Sequence, residues 1–170
     1  SKSSGRWLQE HFNDAYVKQS QKDGYRSRAV YKLKELDEKY KIIKKGSLVI
    51  DLGAAPGAWS QYAADKIGEK GEVIALDILP VDPIAKVTPI LGDFSEPEPL
   101  AELQKLIAGR PVDLVLSDMA PNMSGIDAVD QPKSMYLVEL AVEMANDVLK
   151  PGGWFVSKVF QGAGFDELIR

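Results

Sequence analysis

An α/β architecture built on a parallel, doubly wound sheet is the fold class that the 170-residue sequence predicts, and three observations predict it. From Leu48 onward, short runs rich in Val, Ile, Leu or Phe alternate with segments of helical periodicity. The first run leads through Gly53-Ala-Ala-Pro-Gly57 directly into a helical segment. Acidic residues recur where the apolar runs stop, at Asp51, Asp77, Asp93 and Asp118.

The elements follow in order. Ser1 to Gly5 reads as a flexible basic tail, and Arg6 to Gln21 as a weakly amphipathic helix. After the Asp23-Gly24 breaker, Ser27 is placed to cap a second helix, in which Ala29, Val30, Leu33, Leu36 and Tyr40 recur at helical spacing. That stripe is core, with Lys32 and Lys34 flanking it. Strands are expected at Leu48–Leu52, Glu72–Asp77, Val87–Leu91, Val112–Asp118 and Trp154–Phe160. Helices are expected at Trp59–Ile67, Pro99–Ala108 and Pro132–Leu149. Gly68 and Gly109 end the first two, and Pro151-Gly152-Gly153 stops the third. The whole reads as one domain, with residues 1–46 a basic helical arm packed on a sheet domain of residues 47–170.

Composition excludes several chemistries. Without cysteine there is no disulfide, thiolate nucleophile or thiolate metal site, and one histidine, His11, which reads as a surface residue, cannot build a histidine cluster. A metal-free site is expected. The apolar runs fall well short of the roughly 20 residues that span a bilayer, and no signal-peptide pattern opens the chain. A soluble, cytoplasmic monomer without membrane contact is the expectation. The net charge of −4 hides an asymmetry, because residues 1–46 carry a net +6 and the remainder a net −10. A basic arm on an acidic body reads either as a local polyanion-binding surface, with Arg26 and Arg28 as its contacts, or as a solvated basic helix face.

The Gly53–Gly57 turn carries two glycines four apart, not the G-x-G-x-x-G of a dinucleotide loop, and Pro56 removes an amide that a phosphate cradle would use. The turn therefore suits a ligand with a ribose and no phosphate, unless it is only a tight strand-to-helix connection. S-adenosylmethionine is the commonest such ligand, and its cationic groups tolerate Asp51 nearby. Asp77, about twenty residues beyond the turn, suits two ribose hydroxyls, and Asp93 could accept from an adenine amino group or simply cap a helix. Strand alternation puts Trp154, Val156, Lys158 and Phe160 on one face, so a lysine interrupts an apolar side. Asp118, at the end of the preceding strand, is its natural partner; the alternative is a lysine that reaches solvent from an edge strand. The turn Ser117-Asp-Met-Ala-Pro-Asn122 lacks the second proline and the aromatic residue of amino-group methyltransferase loops. Transfer to oxygen fits better, since a hydroxyl must lose a proton and a lysine could take it.

Five segments, Arg6-Trp-Leu-Gln-Glu-His11, Ser27-Arg-Ala-Val-Tyr-Lys-Leu33, Asp51-Leu-Gly-Ala-Ala-Pro-Gly57, Ser117-Asp-Met-Ala-Pro-Asn-Met-Ser-Gly125 and Lys158-Val-Phe-Gln-Gly162, together resemble the FtsJ family of RNA ribose 2′-O-methyltransferases. The resemblance runs from about Arg6 to the last residue. It implies a Rossmann-like, S-adenosylmethionine-dependent methyltransferase fold and, from the branch most resembled, methylation of a uridine in large-subunit (23S) ribosomal RNA. It also implies a catalytic Lys-Asp-Lys-Glu tetrad, of which Lys32, Asp118 and Lys158 stand at the matching motifs. Cofactor contacts are implied at Gly57, Trp59, Asp77, Asp93 and Asp118, beside Asp51 and Gly53 of the turn. RNA contacts are expected from Arg26, Arg28 and Lys32, with the large ribosomal subunit as partner.

The tetrad glutamate lies in the family on a strand beyond the lysine strand, and the sequence stops at Arg170 without it. Ending there would leave Trp154–Phe160 as an open sheet edge, and Gly162 to Arg170 reads as the start of a helix. The expectation is that the C-terminal strands are missing and that the sequence is part of a longer chain; Ser1 in place of Met points the same way. Methylation of a cap or transfer RNA ribose, a non-catalytic cofactor and RNA-binding module, and a nicotinamide-dependent oxidoreductase remain the alternatives.

Overall fold

The structure is a computed structural model that describes residues 15–119, 127–159 and 165–169; of residues 127–134, 159 and 165–169 it describes the backbone only. His11, the start of the first helix, Ala120 to Asn122 of the β4 turn and Phe160 lie outside the described residues.

Six strands form one sheet in the order β3-β2-β1-β4-β5-β6. They are β1 (Leu48–Leu52), β2 (Glu72–Asp77), β3 (Val87–Leu91), β4 (Val112–Ser117), β5 (Leu149–Val159) and β6 (Phe165–Ile169). The first five are parallel. All five residues of β1 are buried, as a central strand covered on both faces requires. The helices of the described residues are α1 (residues 15–23), α2 (Val30–Tyr40), α3 (Ala58–Ile67), α4 (Pro97–Ile107) and α5 (Asp127–Val148).

Strand alternation sorts the core into two layers. On one face Val49, Val73, Leu114, Leu116 and Val156 pack against Val30 and Leu33 of α2 and Trp59, Tyr62 and Ile67 of α3. On the other, Ile50, Leu52, Ile74, Leu76, Val115 and Phe155 pack against Leu103 and Ile107 of α4 and Ala141, Met144 and Ala145 of α5. The arm is thus part of the first layer through α2, and polar clasps fix it there. Buried Asp37 accepts hydrogen bonds from Tyr62 Oη (2.9 Å) and the Ile43 amide (3.0 Å). The Trp59 indole donates to the Ala29 carbonyl at 2.8 Å.

Four expectations need correction. Ser27 does not cap α2, which begins at Val30 with no side-chain cap; its hydroxyl instead accepts from the Ala29 amide two residues on, at 3.3 Å. Helix α5 starts at Asp127, before Pro132, which removes one internal backbone bond without ending the helix. The Pro151-Gly152-Gly153 breaker lies within β5, where the register with β4 shifts between Val112 and Leu114 and Gly152 takes φ +83°. Residues 165–169 are not helical: they form β6, which runs antiparallel along β5 and pairs Lys158 with Asp166 and Val159 with Phe165. The last parallel strand is therefore not an edge, and the apolar run has its second neighbour within this chain.

Between β2 and β3 the described chain forms no helix, and residues 78–86 cross over as an irregular loop. Two walls of the site below depend on that loop.

Candidate active site

The carboxyl ends of β1, β2 and β4 open into a cleft of about 520 Å³, at the point where strand order reverses between β1 and β4. Its acceptors are Asp77, Asp93 and Asp118; its apolar lining comes from Leu76, Ile78, Leu79, Phe94, Met119, Tyr136 and Leu137. No lysine or arginine among the described residues lines it.

Each carboxylate has a local reason for its position. Asp77 closes β2, accepting from the Ala55 amide through Oδ2 (2.8 Å) and from the Leu79 amide through Oδ1 (2.9 Å), which ties the β1 turn to the start of the crossover loop. Asp93 accepts through Oδ1 from the Ser95 amide (2.8 Å) and hydroxyl (2.7 Å). Those two bonds, the hydroxyl's first, hold its carboxyl below the ordinary value, while burial opposes them weakly. Asp118 follows β4, and its amide donates to the Leu52 carbonyl at 2.9 Å.

Parity brings the charged pair together. Asp118 continues the Leu114, Leu116 side of β4, and Lys158 continues the Trp154, Val156 side of β5, both on the α2–α3 face. Lys158 Nζ lies 3.8 Å from Asp118 Oδ1, with the two side chains 46% and 27% exposed. Lys158 is therefore a half-exposed, paired lysine on an interior strand. Lys32 projects from α2, the helix that covers this same face, and its ammonium sits 3.9 Å from Glu35.

Gly53 makes the closeness of β1 and β4 possible. It holds φ +72°, and a Cβ there would lie 2.5 Å from the Asp118 carbonyl oxygen and 2.8 Å from Met119 Cα. Gly57 does not line the cleft: it turns the other way at φ +117°, against Arg26 Nη1.

Asp51 and Trp59 also lie outside the cleft. They border only a narrow crevice of about 20 Å³ behind the turn. Trp59 is a core residue of α3. Asp51 is fully buried; Oδ2 accepts from the Ser60 hydroxyl at 2.6 Å, while Oδ1 has no hydrogen-bond partner. Burial pushes its pKa up to about 7, helped by Asp118 and Asp77 and resisted by the Ser60 bond. At about 1.4 kcal/mol per unit, the rise from 3.8 penalises the ionised form by roughly 4 kcal/mol. The folded protein holds this proton more tightly than the unfolded chain does, so the contribution is greatest below about pH 4 and is lost as pH rises through about 7. Asp51→Asn keeps the shape and removes the titration. Its stability relative to wild type should climb steadily between pH 4 and pH 7 in denaturant melts; a flat difference would show Asp51 to titrate normally.

Arg26 and Arg28 separate. Arg28 is exposed. Arg26, expected as an RNA contact, is half-buried and bonds to the chain's own backbone, with Nη1 donating to the carbonyls of Pro56 and Asp82 (both 2.9 Å) and Nη2 to that of Pro83 (3.2 Å).

Residues the sequence reading missed are the cleft's apolar walls: Ile78 and Leu79, 56% and 60% exposed, and Tyr136, 54% exposed. Two large aliphatic residues directly after the acidic end of a strand were the available signal. Among the described residues no group of three or more His, Asp or Glu is placed to hold a metal ion, and no helix is long and apolar enough to cross a membrane.

Comparison with known proteins agrees with this fold. A ribosomal RNA large subunit methyltransferase E from Legionella pneumophila (strain Corby) is 60% identical over 170 residues, covering 100% of this chain and 82% of that protein. A protein of the same name from Chromohalobacter salexigens is 61% identical, covering 100% and 81%. Among solved structures, a Plasmodium falciparum protein described as a ribosomal RNA methyltransferase superposes with a TM-score of 0.74 at 30% identity, over 81% of this chain and 80% of that one. The family model for FtsJ-like methyltransferases matches residues 25–170. With its sheet order, its acidic strand ends and these relatives, the chain belongs to the FtsJ-like methyltransferase family.

Proposed function

We propose that this chain methylates a ribose 2′-oxygen, on a uridine of large-subunit ribosomal RNA, with S-adenosylmethionine as donor. The observation that carries the reading is the Lys158–Asp118 pair, whose carboxylate lines a cleft of carboxylates and apolar groups. The names of the relatives support the RNA substrate.

The cleft fits the cofactor by its donor set. Asp77 is placed for ribose hydroxyls, Asp93 for the adenine amino group, and Ile78, Leu79 and Phe94 for the faces of the base. A lining of carboxylates with no lysine or arginine among the described residues suits a positively charged ligand and repels a pyrophosphate. When bound, S-adenosylmethionine supplies a methyl group on a positively charged sulfur. Lys158 then takes the proton of the ribose hydroxyl as general base, or holds the developing alkoxide as an ammonium. Asp118 orients Lys158, and Lys32 joins them from α2, which its loose contact with the exposed Glu35 permits.

On this reading residues 1–46 form the RNA-facing arm of a single domain, with exposed Arg28 among its phosphate contacts, and the enzyme works as a monomer in the cytoplasm. The test is methyl transfer from tritiated S-adenosylmethionine to undermethylated large-subunit RNA, with the product mapped by nucleotide. A 2′-O-methylated uridine is expected. Label on a base, or on cap or transfer RNA in preference, would replace the substrate.

A further inference from the structure

We propose that Arg26 is a positioning residue for the cofactor cleft, locking the β1 turn to the β2–β3 crossover loop. The inference rests on reading the cleft as the S-adenosylmethionine site and assigns Arg26 a role there.

The crossover between β2 and β3 lacks a helix, so nothing regular holds residues 78–86 in place. The Arg26 guanidinium reaches two of their carbonyls, at Asp82 and Pro83. The same Nη1 donates to Pro56, the middle of the β1 turn. One planar group therefore joins two segments that are 26 residues apart in sequence and form two sides of the cleft: Gly53 and Ala55 on the turn, Ile78 and Leu79 on the loop.

The surroundings are shaped for this contact. Gly57 leaves room for the guanidinium, since a Cβ there would stand 2.9 Å from Arg26 Nη1, 3.1 Å from Ile84 Cδ1 and 3.2 Å from Val81 Cγ1. Arg26 is itself aimed by Gln61 of α3, whose Oε1 accepts from the Arg26 amide at 2.9 Å. Across the turn, the Ala55 amide donates to Asp77. The turn is thus held between Asp77 and Arg26, and releasing the Arg26 side loosens the turn, the loop and the Asp77 carboxylate together. Three of the five guanidinium N–H donors are spent on these carbonyls, so the geometry gives Arg26 a task within the chain whatever else its remaining donors meet.

Calorimetry with S-adenosylmethionine on wild type, Arg26→Ala and Arg26→Lys, at a temperature where circular dichroism shows all three folded, tests the assignment. Binding to wild type comes first: if it is absent, the cofactor reading itself falls. Given wild-type binding, Arg26→Ala should weaken it roughly tenfold, the scale of a lost charge-assisted bond, and raise KM for S-adenosylmethionine more than it lowers kcat. Arg26→Lys, a single point donor, should fall between the two, and serves as the deciding variant if the alanine form does not fold. The salt dependence of RNA binding should keep its slope in both. Unchanged cofactor affinity in the folded variant overturns the proposal. So does a salt slope made shallower by about 0.7–0.9, the mark of one lost phosphate contact.

Discussion

Replacing Lys158 with alanine lowers the rate of methyl transfer roughly 10²–10⁴-fold, the usual range for a positioned general base, and leaves S-adenosylmethionine affinity within about twofold of wild type. The split follows from position. Lys158 stands 3.8 Å from Asp118 but does not line the cleft, so its removal leaves Asp77, Asp93 and the apolar walls as they are. Stability changes little, because an ion pair between partly exposed side chains contributes about 1 kcal/mol or less. Single-turnover rates with saturating cofactor, beside calorimetric binding, give both quantities. Lys158→Arg then separates the two roles left open for the lysine: a guanidinium can hold an alkoxide but does not accept a proton near neutrality, so activity in the arginine form favours charge stabilisation and its loss favours base catalysis. A parallel loss of cofactor affinity in the alanine variant would move Lys158 out of the chemical step and into binding.

What was legible in the sequence is what depends on local pattern. The five parallel strands, and the carboxylates at the ends of the first four, follow from short apolar runs that stop at an acidic residue, and the Lys158–Asp118 pair follows from alternation along β5 and β4. The same rule, carried along β1 from Val49, would have put Asp51 under α3 in a strand buried at every position, and so out of reach of a ligand in the cleft. Trp59, given a cofactor contact by the resemblance, shares the inner face of α3 with Tyr62 and Ala63, and helical spacing marks that face as core. Other contacts had no local signal. Arg26 is an unremarkable basic residue until the fold brings it to carbonyls 30 and 56 residues away. β6 is a strand because β5 offers it an edge, a fact of pairing that five residues of mixed polarity do not announce. Backbone acceptors and sheet edges are present in every sequence, so only the fold says which ones a side chain or segment will find.

Gly53→Ala should destabilise the protein by roughly 2–4 kcal/mol, well above the usual effect of adding one methyl group. Two penalties combine there. At φ +72° an L side chain carries about 1–2 kcal/mol of strain. The new Cβ also meets backbone, the Asp118 carbonyl oxygen at 2.5 Å, its carbon at 2.7 Å and Met119 Cα at 2.8 Å, none of which can rotate aside as a side chain would. Gly109→Ala isolates the first penalty, since Gly109 has the same φ of +72° and an added methyl group there would meet nothing within 4 Å. Its denaturant midpoint should therefore drop less, and its turnover should stay at the wild-type level because Gly109 lies beyond α4, away from the cleft. In Gly53→Ala the atoms that must yield belong to Asp118, the partner of Lys158 and part of the cleft wall, so cofactor affinity and rate should fall with stability. Equal costs at the two glycines would mean that backbone conformation alone selects glycine at position 53. An excess at Gly53 accompanied by lost binding would instead tie that glycine to the contact between β1 and β4 on which the site is built.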